Sequence, residues 1–528
     1  LNRDALARRA RDWKALPAPW HPIGLVDHPY ADDLDVFGHA SLAQLLGPVR
    51  TPCGRETLTR WLLPAARVSR GLVEARQSAV RELTPMVDFR QQFAGEALAV
   101  PVPVSVSVSA ASAEPRDVAH VIRWAEAASA SNRPVWLALT AAVFGAATTA
   151  GALASFFGLT PDWWVLTAAA GWALRWWWRD PIEQTFAGAA GEYGLRPWAP
   201  LIDLVTRQSW SSPLLVQAQA DLGGDHRPAP QALRALERLV GLSDVRHSVW
   251  LYVPLQTLTL WDLHVWWALD RWRGRHGRSV RRWLDVVGRV EAVTALASVA
   301  FDQPTWTFPE IDDDLARIEA DSLGHPLLAD ASRVTNDATI GPPGRFLLIT
   351  GSNMSGKSTL LRAVGLNVVL AQAGGPVCAT RFRLPPLALH TSMRISDSLE
   401  LGLSLFMASL VRLQGIVTAA RAAGDDWRVC YLLDEVLQGT NSAERQVAVR
   451  TIMRHLLSCH AIGAVTTHDL ELAREPSFAA QADSFHLQET LGGTAAAVTM
   501  SFDYRLRPGP AQAGNAMQLL RMLGLADY

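Results

Sequence analysis

The chain has 528 residues, more than a single hydrophobic core usually serves, so several domains are expected. Hydrophobic residues make up 49% and charged residues 19%, which excludes a disordered chain and leans slightly toward a membrane protein. The net charge is −1 with no long Lys/Arg block in view, so a nucleic-acid coat protein is excluded and any DNA contact is expected to be local.

The N-terminal stretch LNRDALARRARDW is charged and has no apolar run, so it is not a secretory signal. Residue 1 is Leu, consistent with an alternative start or a trimmed chain. Residues 1–95 are mainly helical in pattern, and residues 96–115 read as a linker or a short edge strand. From Val135 to Leu159 the chain carries no charge, and at about 1.5 Å per residue such a helix crosses a hydrocarbon core of about 30 Å. Thr160-Pro161-Asp162 breaks the run before a second, Trp-rich one ends at Trp178. Seven Trp fall between Trp136 and Trp178, several at the ends of the runs as in an aromatic belt. Arg116, Arg123 and Arg133 precede the pair and Arg175 and Arg179 close it, with Arg175 able to snorkel near a helix end. The expectation is a transmembrane hairpin over 135–178 with both flanks in the cytoplasm. The opposing reading is a buried helical hairpin of a soluble protein.

Residues 180–303 return to a helical pattern, with breaks near Gly223 and Pro228. Within them Val249–Leu269 is apolar but contains Pro254, Asp262 and His264, so a buried or amphipathic helix is expected there. After Pro304 short apolar runs alternate with helical ones, the α/β pattern. The expected fold class is α plus α/β, in four segments: 1–130 helical core, 131–180 transmembrane hairpin, 181–304 helical lever or core return, 305–528 P-loop NTPase. Cys53, Cys378, Cys430 and Cys459 are widely spaced, which argues against a zinc site or disulfide framework and fits reduced thiols in the cytoplasm.

The chemistry concentrates in the last segment. Arg345–Thr350 is a short apolar run followed at once by Gly351, Ser352, Asn353, Met354, Ser355, Gly356, Lys357, Ser358 and Thr359, then by a helical pattern. This is G-x-x-x-x-G-K-[ST] between strand and helix, a loop whose backbone N–H groups wrap phosphates. The bare pattern arises by chance in about one or two in a hundred chains of this length, and its context makes it rarer. Lys357 is expected to reach the β- and γ-phosphates of ATP, and Ser358 to ligate Mg²⁺. Val429–Leu433 is a second apolar run, ending in Asp434 and Glu435. Asp434 is expected to hold the metal through water, and Glu435 to orient or deprotonate the attacking water. A third run, Ala464–Thr467, ends in His468, placed to sense the γ-phosphate or else a satisfied histidine at a strand end.

These blocks resemble the MutS family. GSNMSGKSTLLR is similar to its phosphate loop, LLDEVLQGTNSAERQVA to its acidic block and TTHDLELA to its Thr-His block. Leu323-Gly-His325-Pro326 and Asn336-Asp337 resemble the segment entering the family's nucleotide site. Ser404-Leu-Phe406-Met407 resembles the loop that family members offer across a dimer to the neighbour's nucleotide, with Leu405 in place of Thr. Tyr504-Arg-Leu-Arg-Pro508-Gly509 and AMQLLRMLGLAD resemble the closing segment. Upstream, Asp35-Val-Phe-Gly, Thr51-Pro-Cys-Gly54-Arg55 and Arg76–Leu83 resemble the helical core. The resemblance implies an ATPase with ATP and Mg²⁺, a homodimer, and DNA as ligand. The core-like part begins near residue 33, so no N-terminal mismatch-reading domain is expected, and short or missing C-terminal dimerisation helices are expected. Phe308-Pro-Glu310 is expected to be a loop rather than a mismatch wedge. The competing reading is a membrane-anchored ABC-like ATPase coupled to a protein or lipid partner.

Overall fold

The computed structural model describes the chain except residues 1, 18–19, 23–27, 65–66, 102–117, 128–134, 191–193, 224–227, 353, 395–404, 424–426, 438–441, 469–475, 495–496 and 512–528. The expected linker at 96–115 thus lies mostly outside the described residues, although its first two residues belong to a helix. Two compact units are discontinuous in sequence. One comprises Leu1–Pro48, Thr59–Pro85 and Val293–Tyr528, the other Val49–Leu58 and Met86–Ala292. The sequence boundaries at 130, 180 and 304 mark changes of composition, whereas the compact units are divided elsewhere.

The chain opens with helices α1 (Asn2–Ala10), α2 (Leu42–Leu46), α3 (Pro52–Leu62), α4 (Arg70–Leu83) and α5 (Val87–Ala97). Then follow α6 (Val118–Glu126), α7 (Val135–Phe156), α8 (Trp164–Trp177), α9 (Arg179–Ala190), α10 (Ala199–Arg207), α11 (Pro213–Gly223), α12 (Ala229–Ser243), α13 (Val249–Thr259) and α14 (Trp261–Asp302). The pattern after Pro304 resolves into β1 (Glu310–Ile311), β2 (Ile318–Leu323), β3 (Asn336–Ile340), β4 (Phe346–Thr350), α15 (Lys357–Ala373), β5 (Arg381–Leu384), β6 (Leu387–Ser392), α16 (Leu405–Ala423), β7 (Arg428–Asp434), α17 (Ser442–Ser458), β8 (Ile462–Thr467), β9 (Ala482–Thr494) and β10 (Ala497–Pro508). Glu310 opens a strand, so the expected loop at 308–310 becomes a strand at its last residue.

In the first unit a six-stranded sheet has the order β10-β9-β4-β8-β7-β6, parallel except for the antiparallel β9–β10 pair. All five residues of β4 and all six of β8 are buried, as expected for central strands covered on both faces. Phe346, Tyr431, Leu433 and Val465 pack with Leu413, Val449 and Leu456 of α16 and α17. Each such side chain stabilises the unit by roughly 1.5–3 kcal/mol through removal from water. Thr350 pairs with Thr467, and Thr466 with Asp434, so the three central strands end at one level. In open α/β sheets that carboxyl edge is where ligands bind. A smaller sheet, β1-β5-β2-β3, carries Leu323 and Asn336 toward the same edge.

In the second unit α7 and α8 form an antiparallel pair joined by hydrogen bonding from Thr148 Oγ1 to Thr167 Oγ1 (2.9 Å). Among the described residues only α7 has the length and hydropathy that crossing a membrane requires, and its stretch Ala138–Phe156 is 22% buried. α8 has 14 residues, a rise of about 21 Å, so it is shorter than the hydrocarbon core that each arm of the expected transmembrane hairpin has to cross. Arg175 does not snorkel into water. It donates to Asp262 Oδ2 (2.7 Å) and Tyr252 OH (2.9 Å), because Asp262 is fully buried and needs a cationic partner. The expected single helix over 249–269 is also corrected. Leu260 adopts a left-handed conformation (φ 55°) and divides it into α13 and the start of α14. The apolar side chains of α13 are not buried as expected: Trp250 is 93% exposed and Val249 68%. α13 packs beside α7 and α8, with Thr149 Oγ1 donating to Leu258 O (3.0 Å) and Gly145 allowing a close approach, since a Cβ there would lie 3.1 Å from Leu258 O.

Candidate active site

The phosphate loop forms where β4 gives way to α15. Gly356 occupies the N-cap of α15 with φ 97°, a left-handed conformation that favours glycine, and an added Cβ would lie 2.8 Å from the Tyr504 ring. The first-turn N–H groups of α15 have no partner inside the helix and carry its positive dipole end. Lys357 is buried and donates to Gly351 O (2.9 Å) and Ser352 O (2.7 Å), with its ammonium 3.8 Å from Glu435 Oε1. Burial pulls the Lys357 ammonium below its usual range, an effect that Glu435 and then Asp434 oppose. Ser352 also donates to Glu489 of β9, a carboxylate that sequence reasoning did not single out.

At the end of β7, Asp434 accepts from the hydroxyl of Thr466 on the neighbouring strand. Glu435 has φ 45°, and its backbone N–H donates to Thr466 O (3.2 Å). That turn directs its carboxylate toward Lys357, and His468 Nδ1 lies 3.3 Å from Glu435 Oε1. Three expectations from separate strands therefore meet at one carboxylate.

A cleft of ≈ 1130 Å³ opens over this edge. Met354, Gly356, Lys357, Ser358, Thr359, Asp434 and Glu435 line its phosphate end, and Leu323, His325, Leu328, Val334 and Asn336 line another part. A cleft of this size accommodates a nucleotide. Ser358 and Asp434 bring hard oxygen donors to the same space, the donor type that suits Mg²⁺. Asn336 accepts from Leu506 N (2.7 Å) and donates to Tyr504 O (3.0 Å), replacing ladder bonds where the β9–β10 register shifts. Tyr504 is thereby held in the cleft wall. His325 is pulled down to about 4 by burial and by the nearby Arg362 and Arg333.

Asp32 and Arg394 also line the cleft and carry no motif signal of their own. Their neighbour Asp33 is fully buried and accepts from Thr391 Oγ1 (2.6 Å), Met393 N (3.0 Å), Arg394 N (3.0 Å) and Arg412 (2.9 Å). Arg394 in turn forms a two-pronged pair with Asp35 (2.6 and 3.0 Å). A composition-level reading could have noted only that four acidic or aromatic residues crowd Tyr30–Asp35.

Asn353 and Ser404 lie outside the described residues, as do Gly439 and Thr440 of the acidic block and the AMQLLRMLGLAD segment.

Residues 347–527 match the family model for MutS domain V. Residues 347–527 are thus identified as a MutS domain V. The chain is 29% identical over 273 residues to the DNA mismatch repair protein MSH6 of Arabidopsis thaliana, a match covering 48% of this chain and 20% of that protein. It is 33% identical over 264 residues to the DNA mismatch repair protein MutS 2 of Halobacterium salinarum, covering 48% and 29% respectively. The DNA mismatch repair protein MutS of Natronomonas pharaonis is 31% identical over 245 residues, covering 46% and 27%. The chain thus matches less than a third of the length of these relatives. In the MutS domain V described here, the loop and the acidic pair line one cleft and His468 reaches it through Glu435, and the family match begins inside β4, the strand that carries the loop.

Proposed function

We propose that this MutS-family chain binds and hydrolyses ATP in the cleft at the carboxyl edge of the six-stranded sheet, and that its nucleotide state drives conformational change in a homodimer coupled to DNA. The observation that carries the reading is the meeting of Lys357, Glu435 and His468 beside a glycine-bounded helix N-terminus. The backbone N–H groups of the first turn of α15 bind phosphate oxygens, and Lys357 exchanges its loop carbonyls for them. Glu435 accepts the proton of, or orients, the attacking water, and His468 fixes the rotamer of that carboxylate. Ser358 and Asp434 would hold Mg²⁺, which when bound neutralises phosphate charge. Ser404 is proposed to reach the partner's nucleotide in the dimer.

The mismatch-repair names of the relatives support DNA as the ligand, and the near-zero net charge favours backbone or structure recognition over base readout. They do not favour an ABC-like transporter. The apolar surface that α7, α8 and α13 leave exposed supports a further part of the reading: the second unit anchors the protein in the cell membrane, with the ATPase on the cytoplasmic side. Exposed Phe156, Phe157 and Leu159 at the α7–α8 turn would enter the hydrocarbon.

The test is ATP turnover by detergent-purified full chain with and without duplex, mismatched and branched DNA, at low and moderate salt. Stimulation that fades with salt is expected, and turnover indifferent to every DNA would overturn the DNA coupling. Cell fractionation tests the anchor: recovery wholly in the soluble pool without detergent would remove it.

A further inference from the structure

The net charge near zero hides a local concentration of arginine. Between Arg271 and Arg282, α14 carries Arg271, Arg273, Arg275, Arg278, Arg281 and Arg282. The helix sorts them. Trp272, His276, Val280 and Trp283 are buried on one side, while Arg271, Arg275, Arg278 and Arg282 are exposed. Those four follow the spacing i, i+4, i+7, i+11, which places them in one row about 16 Å long.

The remaining cations of the region are already neutralised. Arg281 pairs with Glu126 (2.8 Å), Arg289 with Asp221, and Arg273 lies 3.8 Å from Asp270. Among the described residues, none of the four in the row forms an ion pair. Arg271 packs over the Trp267 ring (5.2 Å), which steadies its guanidinium without consuming its charge. The row ends at the exposed Asp285.

We infer that this face of α14 is a docking surface for the phosphate backbone of duplex nucleic acid. Four exposed guanidiniums in line, of which Arg282 also feels the Asp221 carboxylate, match a polyanion with regularly spaced charges. An anionic lipid surface is the competing occupant, and the duplex is favoured because the arginines form a single row about 16 Å long, with no exposed large apolar side chain on α14 between Trp261 and Ala300. A single strand fits less well, because its bases need exposed aromatic platforms, whereas Trp272 and Trp283 are buried. Guanidiniums in one row are expected to track phosphates, which every sequence carries, so binding is expected to depend little on sequence. This inference rests on the reading of the chain as DNA-coupled, and adds where the duplex lies.

The experiment compares wild-type full chain in detergent with the variant Arg271→Gln/Arg275→Gln/Arg278→Gln/Arg282→Gln, which keeps the helix-forming side-chain stems. Affinity for a fluorescent duplex of about three helical turns is measured from 50 to 200 mM salt. Four phosphate contacts alone weaken binding on the order of 10²-fold over that range, so the variant's log K against log salt slope is expected to be shallower by about 3–4. Its low-salt affinity is expected to fall at least about tenfold, while its thermal melting and basal ATP turnover stay unchanged. An unchanged slope and affinity would overturn the inference. So would loss of binding to anionic phosphatidylserine vesicles with duplex binding intact. Duplex-stimulated turnover that survives in the variant removes the row and leaves the DNA coupling standing. Row-dependent binding that never alters turnover keeps the row and removes the coupling.

Discussion

His468 Nδ1 lies 3.3 Å from Glu435 Oε1, and Lys357 approaches the same oxygen at 3.8 Å. The two cationic or polar groups come from different elements, α15 and the end of β8, and share one carboxylate at the end of β7. Glu435 is held by both, and in the proposed function Lys357 is expected to turn from this carboxylate to the nucleotide phosphates.

Glu435→Gln keeps the shape and the hydrogen-bonding reach but cannot accept a proton. ATP binding is expected to persist while turnover falls on the order of 10²–10⁴-fold. Filter-retained ATP and single-turnover hydrolysis measure the two separately. Loss of binding together with turnover would make Glu435 a structural residue. His468→Ala is expected to lower turnover by a smaller factor with binding retained, since it acts through Glu435.

Gly356→Ala asks a side chain to adopt φ 97° and to approach the Tyr504 ring at 2.8 Å. The conformation alone costs about 1–2 kcal/mol. Nucleotide affinity is expected to fall about tenfold or more by calorimetry, and Tyr504→Ala in the same chain is expected to restore part of it by clearing the ring.

Asp33→Ala strips a fully buried carboxylate from Arg412, Thr391 and two backbone donors. Removing one partner of such a buried pair costs about 3–5 kcal/mol. Chemical denaturation is expected to show that loss in the first unit, with Asp33→Asn recovering only part. A neutral result would mean that the N-terminal segment is not held to the cleft rim by this residue.

His325 binds protons less readily when folded (about 4) than when unfolded (6.5). The unfolded chain therefore takes up more protons between those values, and stability falls as pH drops from about 6.5 to about 4. The effect is about 2 kcal/mol, smaller than the full shift implies because the ring is partly open to the cleft. His325→Gln is expected to flatten the difference in melting temperature between pH 7 and pH 5 relative to wild type. Parallel curves for the two proteins would contradict this.

Much of the first unit was legible because local chemistry and long-range placement agree there. Gly351 follows β4 and Gly356 caps α15, whose first residues are Lys357 and Ser358, as the pattern requires, and Asp434 ends β7 with Glu435 next to it. What the spacing could not give was the strand order, in which β8 lies between β4 and β7 and supplies Thr466 to Asp434 and His468 to Glu435. Asp33 and Arg394 were invisible for the same reason: their partners stand more than three hundred and fifty residues away in sequence. In the second unit, hydropathy identified α7 but overread α8, whose Arg175 answers the buried Asp262 across 87 residues. The arginine row of α14 was missed because counting charge over the whole chain averages it with acidic residues elsewhere. Helical periodicity separates its exposed members from Trp272 and Trp283 only once the helix is known to be continuous.

The most direct measurement is Mg²⁺-dependent ATP turnover by the purified full chain and its Lys357→Ala variant, with nucleotide binding measured in parallel. Lys357 is the residue whose ammonium links the loop to the acidic pair. The variant is expected to lose turnover by at least about 10²-fold and to bind ATP weakly. Equal turnover in the two proteins would contradict the assignment of this cleft as the site of ATP hydrolysis.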